Sequence, residues 1–306
     1  MKIGVVLPMA EDTDNGYVPS YLEIRDRALQ AEEAGFDSVW LFDHLIFRFP
    51  DEPVGGIWEV WTLLAALADA TQRVELGTIV LCVPFRIPAV LAKMADTLDE
   101  VSGGRLILGL GAGWHQPEFD AFGVPFDHRA ARFEEALQII VPLLKKGSVD
   151  FHGTYYSASH CELRPRGPRP SGPPILVASH GQRMLRATAK YADCWNTAWL
   201  GRASALPERR ARLEAACADV GRDPATLEVT VGVSVSYEEA AEGETVDPQR
   251  QLKGTPEEVA AALHEYEAAG VGHVICSLQP ETPASLEKLA RALQMYREGQ
   301  PARATG

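Results

Sequence analysis

Cysteine is sparse and unpaired in this 306-residue chain. The five residues Cys82, Cys161, Cys194, Cys217 and Cys276 are odd in number, widely spaced, and form no Cys-x-x-Cys pair. That argues against a disulfide framework and a thiolate zinc site, and it fits a reducing compartment. Positive charge is also short: 29 Lys and Arg stand against 42 Asp and Glu, a formal net charge of −13. Nonspecific binding to nucleic acid or to an anionic membrane is disfavoured on that ground. An anionic ligand would need local dipoles and a few placed cations. No apolar stretch approaches the ~20 residues that span a bilayer. The apolar opening, residues 2–9, lacks a small-residue cleavage site and turns acidic at Glu11 and Asp12. It reads as a buried strand rather than a signal peptide, so a cytoplasmic protein is expected.

Familiar fingerprints are missing too. There is no Gly-x-Gly-x-x-Gly turn, no Walker lysine, no Gly-x-Ser-x-Gly elbow and no His-Glu-x-x-His pair. No metal site is expected.

What is present is an alternation of short β-branched runs with longer helical stretches. Strands are predicted over 3–7, 38–42, 74–80, 106–110, 175–178, 194–198, 227–235 and 273–278. Most are apolar throughout, as parallel strands covered on both sides should be. Helices are predicted near 21–34, 57–70, 88–102, 129–146, 182–191, 205–220, 256–269 and 283–297. Leu91, Met94, Ala95, Leu98 and Val101 mark one such stripe. Pro142 should kink the fourth helix or end it a turn early. Ala34-Gly35-Phe36 and Ala269-Gly270-Val271 repeat one junction, a helix stopped by a glycine suited to a left-handed C′ position. Eight such units favour one (β/α)₈ TIM-type barrel over 1–306, with a doubly wound open sheet as the alternative. Long segments at 8–20, 43–57 and 111–128 follow strands, which in a barrel puts them at the C-terminal face. Segments 150–174 and 237–253 read as further excursions.

Chemistry-bearing residues gather after strands. Asp43-His44 ends the second; an imidazole there suits proton transfer, whereas a capping acid and a loop-satisfying histidine are the plain reading. Gly109-Leu110-Gly111-Ala112-Gly113-Trp114 would let a flat ligand approach the backbone, although such a run is often only a bend. Ser179-His180-Gly181-Gln182-Arg183 opens a helix and offers N–H groups to a phosphate, or merely an ordinary Ser N-cap. Trp58, Trp61, Trp114, Phe119, Phe122 and Phe126 suggest an aromatic-lined mouth, with Trp61 equally suited to a buried stripe. Helix 57–70 is apolar nearly all round, which points to a covered face and a homodimer.

Gly35-Phe36-Asp37-Ser38-Val39-Trp40 leading to Asp43-His44, Leu76-Gly77-Thr78-Ile79-Val80, and the run from Asp99 through Ser102-Gly103-Gly104-Arg105 to Trp114 resemble the luciferase-like flavin and deazaflavin oxidoreductases. Gly123-Val124-Pro125-Phe126, Tyr191-Ala192-Asp193-Cys194-Trp195-Asn196 and Gly254-Thr255-Pro256-Glu257-Glu258-Val259 follow in the family's order. The resemblance implies a barrel with a redox ring at its mouth. It implies a non-prolyl cis peptide at or near Ile79–Val80, His44 as acid–base group beside Asp43, and Gly111, Ala112, Gly113 and Trp114 along the ring. It places phosphate at Ser179, His180, Gly181, Gln182 and Arg183, helped by Thr197 and Trp199. Coenzyme F420 with hydride transfer is the first expectation. FMN with oxygen activation and a partner reductase is the second, and a non-catalytic flavin-binding barrel the third. Trp114 stands where the family's sugar-phosphate dehydrogenases carry a glutamate. Glu118 would substitute only after a geometric shift.

Overall fold

The computed structural model describes residues 1–237 and 250–299, so most of the expected 237–253 excursion lies outside the described residues. Eight parallel strands close a ring: β1 Lys2–Val6, β2 Ser38–Leu41, β3 Glu75–Thr78, β4 Leu106–Gly111, β5 Ile175–Ala178, β6 Cys194–Leu200, β7 Glu228–Ser236 and β8 His273–Gln279. The ring shuts where β8 pairs with β1, Lys2 opposite His273 and Val5 opposite Cys276. Closure settles the choice between barrel and open sheet, because an open sheet would leave two edges.

Helices α1 Tyr21–Glu33, α2 Val60–Ala70, α3 Pro88–Val101, α4 Gln116–Phe122, α5 Arg129–Lys146, α6 Gln182–Tyr191, α7 Leu206–Val220, α8 Pro256–Ala268 and α9 Pro283–Glu298 connect them. Capping boxes start two of these, Ser20 with Glu23 and Thr255 with Glu258. The repeated junction stops them. Gly35 (φ 89°) and Gly270 (φ 73°) are left-handed, and Phe36 and Val271 donate back to the Ala31 and Tyr266 carbonyls.

Three expectations need correction. β3 stops at Thr78 rather than 80, because the chain bulges at Ile79–Val80 before Leu81 rejoins β4. α2 starts at Val60, since the Glu59 carboxylate caps it by accepting from the Trp61 and Thr62 N–H groups. Ile57 and Trp58 therefore stay in the loop, and Thr62 and Asp69 give the helix an exposed polar side. α5 does not end a turn early at Pro142 but runs on to Lys146, with Ile139, Ile140, Leu143 and Leu144 buried on either side of the proline. Packing of that face outweighs the missing hydrogen bond.

The 150–174 excursion includes most of an antiparallel hairpin, Ser148–His152 with Ser157–Glu162, laid against α5. Its arginines hold it down: Arg169 pairs with the fully buried Asp99 of α3, and Arg166 lies 3.5 Å from buried Asp96.

Inside the barrel Trp40 is the plug. It fits because Gly77 and Gly4 face it; a side chain on either would overlap its ring or Ser38. Below it the Trp40 indole N–H donates to Ser38 Oγ at 2.7 Å, and Ser38 lies 2.8 Å from His273 Nε2. Burial first, then Lys2 and the N-terminus, lowers the His273 pKa to about 3. The unfolded chain binds a proton there from about pH 6.5 downward and the native ring does not, so stability falls as pH drops through 6.5. At pH 5 the loss is about 2 kcal/mol. Urea unfolding at pH 7 and pH 5 checks it: the wild type should lose about that much more than His273→Gln.

Candidate active site at the barrel mouth

β2 delivers the two leading candidates. Side chains alternate along a strand, so the inward row that holds Ser38 and Trp40 continues through Phe42 to His44. Asp43 falls on the other row, and its carboxylate is sealed. It accepts the Cys82 N–H at 2.8 Å and both terminal nitrogens of Arg86, which also reaches Glu59 at 2.8 Å. Burial pushes the Asp43 carboxyl up, against the pull of Arg86 and the Cys82 N–H. These contacts tie the end of β2 to the segment after β3 and to the start of α2. Sequence reasoning missed Arg86 and Glu59; an arginine among Pro84, Phe85 and Ile87 was the only signal.

His44 is differently placed. Its Nδ1 lies 2.9 Å from Oε1 of Glu118 on α4, and the other Glu118 oxygen accepts the Leu45 N–H at 2.8 Å. Glu118 is 1% exposed, whereas the His44 side chain keeps 15%. Aromatic rings bound the imidazole: Phe47 at 4.6 Å, Trp114 edge-on at 5.4 Å, Phe42 at 6.1 Å. Phe49 stacks on Trp114, which is 57% exposed. Phe47 and Phe49 come from the 43–57 loop, held as a small ribbon by Ile46–Phe47 pairing with Gly55–Gly56. The nearby His115 is engaged by the backbone. Its Nε2 accepts the Arg48 N–H at 3.0 Å, and burial lowers its pKa.

Of the other expected mouth aromatics, Trp114 and Phe122 are exposed, and Phe119 is fully buried against Phe85 and Phe126. Trp58 lies in the α2 approach, bonded to the Pro19 carbonyl, while Trp61 is half-buried on α2.

The wall beyond comes from β3 and β4. The Ile79–Val80 peptide is cis, as is Ala198–Trp199 within β6. The glycines of the Gly109–Trp114 run answer to the protein's own packing. A side chain on Gly111 would meet Val80 at 2.6 Å, and one on Gly113 would meet Cys82 Sγ at 2.6 Å and Phe119. Ala112 is half-buried and Trp114 points outward beside them.

Across the mouth, α6 begins without a side-chain cap, and the space over Gly181 is open. Ser179 does not face that end: it is buried and bonded to Thr188. Arg183 is engaged by Glu134 at 2.6 and 3.0 Å. The cations beside this helix start are instead Arg209, on Thr197 Oγ1 at 2.7 Å and the Ala198 carbonyl at 3.1 Å, and Arg212, on the His180 carbonyl at 2.9 Å. Burial and these two arginines lower the His180 pKa. Gln182 is the first helical residue and exposed, and Trp199 packs over Gly232.

The sequence profile of the luciferase-like monooxygenases matches residues 1–245. The chain belongs to that family. Among curated relatives, the phthiodiolone/phenolphthiodiolone dimycocerosates ketoreductase of Mycobacterium tuberculosis is 34% identical over 228 residues, 69% of this chain. This chain spans 60% of that relative's length. Pyrimidine monooxygenase RutA of Methylorubrum populi is 31% identical over 264 residues, 79% of this chain and 67% of the relative. An F420-dependent secondary alcohol dehydrogenase, solved with an F420–acetone adduct, shares the fold at TM-score 0.78 and 19% identity, covering 97% of this chain and 99% of that one. Monooxygenase RslO1 from Streptomyces bottropensis gives TM-score 0.73 at 26% identity, over 97% and 98% of the two chains. This luciferase-like barrel thus has reductases and monooxygenases among its relatives. Among its described residues no helix is long and apolar enough to cross a membrane, and no group of His, Cys, Asp or Glu could hold a metal ion.

Proposed function

We propose that this enzyme uses coenzyme F420 to interconvert an apolar alcohol and its carbonyl compound. The observation that carries the reading is His44 at the barrel mouth, held by the buried Glu118 and walled by aromatic rings. An oriented imidazole is suited to proton exchange with a substrate oxygen. A deazaflavin held at this mouth would supply the hydride-transfer chemistry. His44 is the catalytic residue in this reading. Asp43 has no open edge and acts by fixing the segment after β3. The 34% identity to a ketoreductase supports the carbonyl chemistry.

The mouth fits such a cofactor. Ile79, Val80 and the backbone at Gly111, Ala112 and Gly113, with Trp114, would line the ring. The uncapped N–H groups of Gly181, Gln182 and Arg183, beside open space, would take the phosphate, a ready use of a helix N-terminus. Arg209 and Arg212 supply the formal charge, with Ser179, His180, Thr197 and Trp199 shaping the loop ends. Binding titrations test this. F420 should bind at least tenfold tighter than FMN, and Arg209→Ala should weaken it about tenfold, the scale of one charge-assisted bond. Arg183→Ala should change little, because its guanidinium already belongs to Glu134. Tight FMN and no F420 binding would remove the proposal.

The relationship to RutA favours a second reading, an FMN monooxygenase fed by a partner reductase. A homodimer remains part of both readings.

A further inference from the structure

Glu118 is buried, yet it is not a simple ion-pair partner. Both its oxygens are committed, Oε1 to His44 Nδ1 at 2.9 Å and Oε2 to the Leu45 N–H at 2.8 Å. A carboxylate only accepts, so the hydrogen in the first contact belongs to Nδ1. The neutral ring is then the Nδ1–H tautomer, and Nε2, on the far edge from Glu118, carries the lone pair. The Leu45 N–H fixes the carboxylate from the chain segment that carries His44 itself, so ring and holder cannot drift apart independently.

We infer that Glu118 is a positioning residue that selects the His44 tautomer and leaves Nε2 as the single atom exchanging a proton with substrate. The inference rests on the acid–base reading of His44.

Glu118→Gln gives a directed test. Its amide has one acceptor oxygen, and two N–H donors compete for it. If the oxygen takes the Leu45 N–H, the amide NH₂ faces Nδ1 and forces the Nε2–H tautomer. Nitrogen-15 correlation spectra of the cofactor-free, histidine-labelled protein read this without turnover. The wild-type neutral ring should show the Nδ1–H pattern, Glu118→Gln the Nε2–H pattern, and Glu118→Ala a mixture. Turnover in Glu118→Gln should fall about a hundredfold or more, as a mis-set tautomer does, with F420 affinity within a few-fold. Placed on His44→Ala, Glu118→Gln should add almost nothing. A tautomer that ignores residue 118, or a full additional loss in the double variant, would overturn the inference while leaving the acid–base reading standing. Full activity of His44→Ala would sink that reading and the inference with it. If Glu118→Gln does not fold, the Glu118→Ala spectrum decides alone.

Discussion

His44→Ala should keep its cofactor and lose its chemistry. The variant removes the imidazole held by Glu118 and leaves the α6 N-terminus, Arg209, Arg212 and the Ile79–Val80 wall untouched. Loss of a general acid–base group typically slows a reaction ~10²–10⁴-fold. Turnover should therefore drop at least about a hundredfold, with F420 affinity within a few-fold of wild type. His44→Gln should be as slow if proton transfer is the role, and much milder if orientation is. Near-normal turnover in His44→Ala would return the residue to a structural part and shift attention to a bound water. Loss of cofactor binding would instead place His44 in the binding surface.

Gly109→Ala should be the most damaging single methyl group in the barrel. A Cβ at this position would overlap the Thr78 carbonyl, a backbone atom that cannot rotate away. Thr78 also brackets the glycine by hydrogen bonds in both directions, its Oγ1 donating to the Gly109 carbonyl at 2.8 Å and accepting the Gly109 N–H at 3.0 Å. β3 and β4 would have to part where they carry the bulge toward the mouth. We expect a loss above ~4 kcal/mol, or no folded protein. Gly103→Ala is the control: it has the left-handed φ of 66° but nothing within 4 Å, so it should cost only ~1 kcal/mol. Urea unfolding of the two variants checks the ordering, and equal costs would refute the steric account.

Much of the frame was legible because it obeys local rules. The glycines of the two repeated junctions require a positive φ whatever surrounds them, and both have it. The short apolar runs read as covered parallel strands, and eight parallel strands form the ring. The long loops after strands did gather where side chains of different elements meet. Boundaries failed where a side chain from elsewhere decided them, as Glu59 does for α2 and the bulge does for β3. The site was legible in residue type and not in partnership. Period-two alternation alone separates Asp43 from His44, but only tertiary structure shows Arg86 sealing the first and Glu118 orienting the second. Arg183 looked like the phosphate cation from its place in the chain. A glutamate on α5 engages it, while Arg209 and Arg212 arrive from a helix more than twenty residues later. The Ser102-Gly103-Gly104-Arg105 signature likewise proves structural. Arg105 donates to the Ala68, Thr71 and Val74 carbonyls and closes the end of α2.

The central claim is that this barrel exchanges hydride with a carbonyl compound and needs no oxygen. It is tested most directly by anaerobic mixing of the protein and reduced F420 with a series of apolar ketones. Reoxidation of the cofactor without oxygen, stoichiometric with alcohol formed and about a hundredfold slower in His44→Ala, is the predicted result. Reduced cofactor that persists until air is admitted, with turnover supported by FMN instead, would contradict it.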